Sequence, residues 1–154
     1  MTANRAMAQS ILILNGPNLN LLGRREPATY GSQTLGDVVA ACESLGKELG
    51  FEVSAFQSNH EGELVDRLQQ AGIEGTGVVF NPGAYSHTSV ALRDAIAGSG
   101  AVVVEVHISN IHSREHFRHR SYVTPVAKGM ICGLGTEGYL LAMRALAVHM
   151  RNDG

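Results

Sequence analysis

Ile11-Leu12-Ile13-Leu14-Asn15-Gly16-Pro17-Asn18 is the stretch that decides the fold: an uncharged apolar run that ends on asparagine and is broken at once by Gly-Pro. A run this short and continuous reads as a strand buried on both faces, the habit of parallel sheets covered by helices on each side. Working outward, the same unit recurs. Thr34 caps a helix in which Leu35, Val38, Val39, Cys42, Leu45 and Leu49 keep 3.6 spacing up to Gly50, and Phe51–Gln57 follows as a second strand. Leu64, Val65, Leu68 and Ala71 mark the second helix and Gly77–Asn81 the third strand; Ser89–Ala97 reads as the third helix, with Thr88 as its expected cap. Ala101–Ile108 is the most apolar strand, Lys128–Cys132 the fifth, and Gly138–Met150 the closing amphipathic helix. Strands alternating with helices predict a flavodoxin-like α/β fold, a doubly wound five-stranded parallel sheet with helices on both faces and ligands beyond the carboxyl ends of the strands. Residues 11–154 read as one domain and residues 1–10 as a loose tail.

Composition narrows the function classes. With 154 residues, 44% of them hydrophobic and 17% charged, the chain can bury a sizeable core. A formal net charge of −2 carries no electrostatic footprint for nucleic acid or an anionic membrane surface. The first ten residues hold one arginine and no long apolar stretch, and no later run is long enough to span a bilayer, so the expected location is cytoplasmic. Cys42 and Cys132 lie far apart without metal-ligand spacing and read as free thiols.

Three polar segments fall at strand ends. The first follows strand one and carries Asn18, then Arg24, Arg25 and Tyr30 among glycines and prolines. A phenol beside arginine loses its proton more easily than usual, because the positive charge stabilises the phenolate, and Tyr30 thereby becomes a candidate base. The second, Asn81-Pro82-Gly83-Ala84-Tyr85-Ser86-His87-Thr88-Ser89, leaves a strand and enters a helix, where free backbone N–H groups suit an anionic or hydroxylated ligand. Asn81 and His87 can point at that ligand; the same residues also read as a turn and a cap. The third runs Glu105-Val106-His107-Ile108-Ser109-Asn110-Ile111-His112-Ser113-Arg114-Glu115-His116-Phe117-Arg118. Strand alternation puts Glu105 and His107 on one side, so the carboxylate can orient the imidazole. Arg114 and Arg118, four apart, would face the same way on a short helix and suit a carboxylate or phosphate, or they are solvated surface. His112 and His116 share helical spacing, but no carboxylate or cysteine completes a familiar ligand set and HExxH is absent, so no metal is expected.

Other chemistries of this fold lack their residues. A phospho-receiver needs acidic residues after strands one and three and a lysine after strand five, where Asn15, Asn81 and Gly133 stand. The Gly16–Leu19 loop has no hydroxyl for a flavin phosphate, and GxSxG does not occur. The lysines are Lys47 and Lys128, on an exposed helix stretch and at a strand start, so imine catalysis is disfavoured.

The three segments, with Gly133-Leu134-Gly135, resemble type II 3-dehydroquinate dehydratase over nearly the whole chain after residue 10. The resemblance implies dehydration of 3-dehydroquinate to 3-dehydroshikimate in the shikimate route, through an enolate and without metal, imine or other cofactor. Tyr30 then matches the base that takes the proton alpha to the ketone, and Arg25 the arginine that favours its phenolate. Asn18 matches the residue holding a water against the enolate oxygen, while His107 matches the general acid for the departing hydroxyl, with Glu105 behind it. Asn81, His87, Ile108, Ser109 and Arg118 match the substrate-binding set, Arg114 a lid-side arginine, and Asp94 an acidic residue reaching a neighbouring subunit's site. The Gly23–Gly31 loop is then expected to act as a lid. The family assembles as trimers grouped into a homododecamer. Ser86 stands where threonine is common, and His116 and His119 fall where the family varies. The competing reading is a non-catalytic flavodoxin-like module that binds a small polyhydroxylated carboxylate.

Overall fold

The computed structural model describes residues 9–24 and 32–153. Its five strands are β1 (Ser10–Asn15), β2 (Glu52–Gln57), β3 (Gly77–Asn81), β4 (Val103–His107) and β5 (Gly129–Cys132), and its helices are α1 (Leu35–Leu49), α2 (Glu61–Glu74), α3 (Val90–Ser99) and α4 (Glu137–Asp153). All neighbouring strands pair in parallel, in the order β2-β1-β3-β4-β5. This is the doubly wound order expected from the sequence, with its switch point between β1 and β3.

The central strands owe their place to alternation. Every residue of β3 and β4 is buried, and β1 is buried from Ile11 onward. Ile11, Ile13, Val79, Val104 and Val106 face one way and pack with Val38, Cys42 and Leu45 of α1 and Tyr139, Met143 and Leu146 of α4. Leu12, Leu14, Val78, Phe80 and Val103 face the other way and pack with Leu64 and Leu68 of α2 and Leu92 and Ile96 of α3. Each face of the sheet therefore receives two helices. Burial pushes the Cys42 thiol up to about 12, which leaves it a small core hydrophobe.

Local chemistry sets the ends. Thr34 and Asp37 form a reciprocal capping box at the start of α1, and Gly50, in the left-handed region, ends it. β1 begins one residue before the apolar run, because Ser10 already pairs with Glu52. β4 is shorter than the Ala101–Ile108 expectation at both ends, since its pairing with β3 and β5 stops at Val103 and His107.

The third helix corrects the sequence reading. A 3-10 turn, Gly83–His87, follows β3, and Thr88 closes it by donating its backbone N–H to Tyr85. The cap is consequently Ser89, whose hydroxyl accepts from the Leu92 N–H at 3.0 Å and donates to a Glu61 carboxylate oxygen. Ser89→Ala should cost about 1 kcal/mol of stability in urea unfolding through the lost cap, whereas Thr88→Ala should cost well under half of that. Equal losses would return the cap to Thr88.

Candidate active site

The carboxyl ends of β1, β3 and β4 open into a cleft of about 150 Å³. Pro17, Asn18, Leu19 and Leu22 line it from the β1 side, Asn81, Gly83, Ala84 and His87 from β3, and His107, Ile108, Ser109, Ile111, Arg114 and Arg118 from β4. The three polar segments therefore converge at the switch point, as the ligand rule for open parallel sheets requires. The β1 and β3 loops are held close. The Gly16 N–H donates to the Asn81 carbonyl at 2.8 Å, and a Cβ at Gly16 would lie 2.5 Å from the Pro82 carbonyl oxygen, so glycine is obligatory at this approach.

Asn18 enters the cleft with φ 70° and is the only non-glycine residue with positive φ among the described residues. Asparagine tolerates this left-handed backbone better than most residues. Its N–H is held by the Asn59 side-chain oxygen at 3.0 Å, and Gln57 Nε2 donates both to that oxygen and to the Gly16 carbonyl.

On the β4 side, Glu105 is fully buried and His107 is 5% exposed. His107 Nε2 lies 2.5 Å from Glu105 Oε2, so the alternation that put both on one side of the strand also brings them into contact. Ser121 donates to Oε2 at 2.7 Å and Thr124 to Oε1 at 2.5 Å. Burial alone would raise the Glu105 pKa, but the His107, Thr124 and Ser121 hydrogen bonds outweigh it and hold the carboxyl below its ordinary range. The site thus keeps an ionised carboxylate in a dry place. It fixes the imidazole ring through Nε2, leaving Nδ1 for the cleft.

His87 stacks beside His107, ring centroids 6.3 Å apart, and its Nδ1 lies 2.8 Å from the Arg120 carbonyl, to which it donates. Burial pulls its pKa below the usual histidine value, with His107 and Arg118 adding to the effect against the Arg120 hydrogen bond. His87 is thereby biased toward its neutral form, beside a His107 ring that is held by Glu105.

Arg114 and Arg118 both reach the cleft, but not from one helix. Ile111–Ser113 and His116–Arg118 are separate 3-10 turns, and Arg114 between them is extended. Arg114 Nη1 donates to Ser109 at 3.2 Å and Arg118 Nε to Glu115 at 2.8 Å, while Arg114 Nε lies 3.8 Å from the same Glu115 oxygen, so one carboxylate sits beside both cations. His112 and His116, within these turns, and His119, just after them, cluster with ring centroids 5.8 Å apart for 112–119 and 5.1 Å for 116–119. Among the described residues no three metal-binding side chains converge on a common point. Asp94 is exposed on α3 and does not line the cleft of its own chain. Arg25 and Tyr30 lie outside the described residues.

Sequence reasoning missed Ser121, Thr124, Asn59 and Tyr139. Ser121 and Thr124 look like loop hydroxyls until Glu105 is seen to need donors, and Tyr139 fits the apolar stripe of α4 so well that it reads as core. Its hydroxyl in fact donates to Asn15 Oδ1 at 2.6 Å and accepts from Asn81 Nδ2 at 2.9 Å.

Comparison with known proteins decides the family. The model for dehydroquinase class II matches residues 9–147. The chain belongs to that family. The Agrobacterium fabrum protein named 3-dehydroquinate dehydratase 1 is 60% identical over 140 residues, 91% of this chain and 97% of the relative. The 3-dehydroquinate dehydratase of Chelativorans sp. is 57% identical over 145 residues, 94% of this chain and 100% of the relative. The crystal structure of type II dehydroquinase from Propionibacterium acnes superposes with a TM-score of 0.88 at 46% identity, covering 92% of this chain and 98% of that one. The sheet order and helix placement of this class II dehydroquinase chain are thus those of solved family members.

The Glu105 shift has a definite pH signature. A carboxyl whose folded pKa is depressed stabilises the fold above the ordinary carboxylate range, and that contribution disappears as pH falls through the folded value. Thermal melting followed from pH 7 downward should therefore drop more steeply in acid for the wild type than for Glu105→Gln. Parallel acid limbs would remove Glu105 from the account.

Proposed function

We propose that the protein eliminates water from 3-dehydroquinate to give 3-dehydroshikimate through an enolate, in one flavodoxin-like catalytic domain spanning residues 11–154. The observation that carries this reading is the buried Glu105–His107 pair at the floor of the switch-point cleft, in a chain that matches the dehydroquinase class II family almost throughout. In the proposed reaction the Tyr30 phenolate, favoured by Arg25, takes the proton alpha to the ketone, and the electron pair moves onto the ketone oxygen. A water held by Asn18 donates to that oxyanion. The enolate then collapses and expels the hydroxyl, which leaves as water with a proton from His107 while Glu105 receives the hydrogen bond of the ring. Proton return from Tyr30 to His107 resets the site. The step balances without a metal, an imine or another cofactor.

Asn81, His87, Ile108, Ser109 and Arg118 hold the substrate in this reading, and Arg114 acts from the lid side. A polyhydroxylated carboxylate suits this lining of amides, imidazoles and two guanidiniums. Asp94 reaches the site of a neighbouring copy within a tetramer of trimers. Its exposure on α3, one turn from the half-exposed Val90 and away from its own cleft, supports that placement. A cytoplasmic location fits the free thiols of Cys42 and Cys132, and among the described residues no helix is long and apolar enough to cross a membrane.

Purified protein given 3-dehydroquinate should produce the ultraviolet absorbance of a conjugated enone. Activity should survive borohydride added with substrate and should also survive dialysis against chelator. Tyr30→Phe should retain the fold and ligand binding but lose about 10²–10⁴ of turnover, the range expected for a missing general base. Normal turnover in that variant would assign the base elsewhere, and no absorbance from the wild type would leave a binding module.

A further inference from the structure

A second buried polar cluster lies on the opposite face of the sheet from Glu105, and the proposed reaction draws only on its Asn81, as a substrate contact. Asn15 and Asn81 end β1 and β3 as register partners, and Tyr139 rises from α4 between them. The three are 1%, 3% and 0% exposed. Groups this dry must satisfy one another, and their bonds run in one direction only.

The direction is set at a backbone amide. The Gly83 N–H donates to Asn81 Oδ1 at 3.1 Å, which fixes that atom as the oxygen and its partner as the NH2 group. Asn81 Nδ2 then donates to the Tyr139 oxygen at 2.9 Å. The phenol has one proton to give, and it goes to Asn15 Oδ1 at 2.6 Å. Asn15 Nδ2 is left as the one buried side-chain polar atom without a partner among the described residues. Burial holds the phenol well above its ordinary range, so it keeps the proton this chain of bonds requires. One hydrogen of Asn81 Nδ2 remains uncommitted, and Asn81 lines the cleft.

We propose that Tyr139 is a positioning residue for substrate: its hydroxyl locks the Asn81 carboxamide so that Asn81 offers the cleft an N–H donor, which selects a hydrogen-bond-accepting group such as a carboxylate or carbonyl oxygen. This rests on the reading of the cleft as the substrate site. Without the hydroxyl, Asn81 keeps only the Gly83 bond at its oxygen, and its NH2 group loses the acceptor that fixed the rotamer. The ring of phenylalanine fills the same space, so the loss falls on orientation rather than packing.

The test is steady-state turnover of 3-dehydroquinate by the wild type, Tyr139→Phe, Asn81→Ala and the double variant, with Leu146→Val as a control two turns along the same buried face of α4. Tyr139→Phe should raise KM about tenfold while kcat stays within about twofold, the pattern of lost ground-state binding that is shared with the transition state. In the Asn81→Ala background the same substitution should add nothing to KM, because Tyr139 acts through Asn81. Leu146→Val should lower Tm without moving KM. If Tyr139→Phe leaves KM unchanged, or raises it equally with and without Asn81, the hydroxyl is structural and the proposal fails. Should Tyr139→Phe not fold, Asn15→Ala removes the acceptor of the phenol; a KM rise of about threefold supports the proposal and an unchanged KM overturns it. Absence of turnover in the wild type would strike the functional reading itself, which separates the two failures.

Discussion

A carboxylate with no solvent exposure, on a central strand of the sheet, is the constraint around which this molecule is arranged. Leaving such a charge unpaired would cost several kcal/mol, so Glu105 must collect donors from wherever the chain can supply them. One comes from its own strand, as His107; two come from Ser121 and Thr124, in the segment that leads back to β5. That segment is then tied to the β3 side of the cleft. The Tyr122 N–H donates to the Ser86 carbonyl at 2.7 Å, and His87 donates to the Arg120 carbonyl at 2.8 Å. The need to solvate one buried charge thus closes one wall of the site and aims two imidazoles.

The opposite face solves a different problem with neutral groups. There Asn15, Asn81 and Tyr139 hydrogen-bond in series with no charge involved. Strand alternation separates the two clusters: Asn81 follows Val79 on the α1/α4 side, whereas Glu105 and His107 follow Val103 on the α2/α3 side. The cleft sits over the carboxyl edge and draws on both. The buried charge and its donors belong to one face and the neutral series to the other, and the sheet between them keeps the two sets of bonds from competing for partners.

What could be read from the chain follows the range of each interaction. The parallel sheet was legible because continuous apolar runs such as Ile11–Leu14 and Val102–Val104 are local signals, and the Glu105–His107 contact because a two-residue spacing on a strand is itself geometry. Arg114 and Arg118 were placed at the right cleft but on the wrong scaffold, since helical spacing says nothing of an extended residue between two 3-10 turns. Thr88 and Ser89 are both good caps in isolation; the turn preceding them consumed Thr88. Ser121, Thr124 and Tyr139 stayed hidden because their partners are 16, 19 and 124 residues away. Arg25 and Tyr30 rest on the family pattern, as residues 25–31 lie outside the described structure.

The Tyr139–Asn15 bond spans almost the full chain, and this bears on how the protein comes into being. While the polypeptide leaves the ribosome, β1 and β3 can pair early, yet Asn15 and Asn81 stay hydrated until residue 139 has been synthesised and the last helix has room to dock. Contacts of such separation are slow to form because the intervening chain must first be ordered. The Asn81 side of the cleft is therefore among the last parts of the molecule to be completed, and a nascent chain whose residue 139 has not yet emerged lacks both bonds of that phenol.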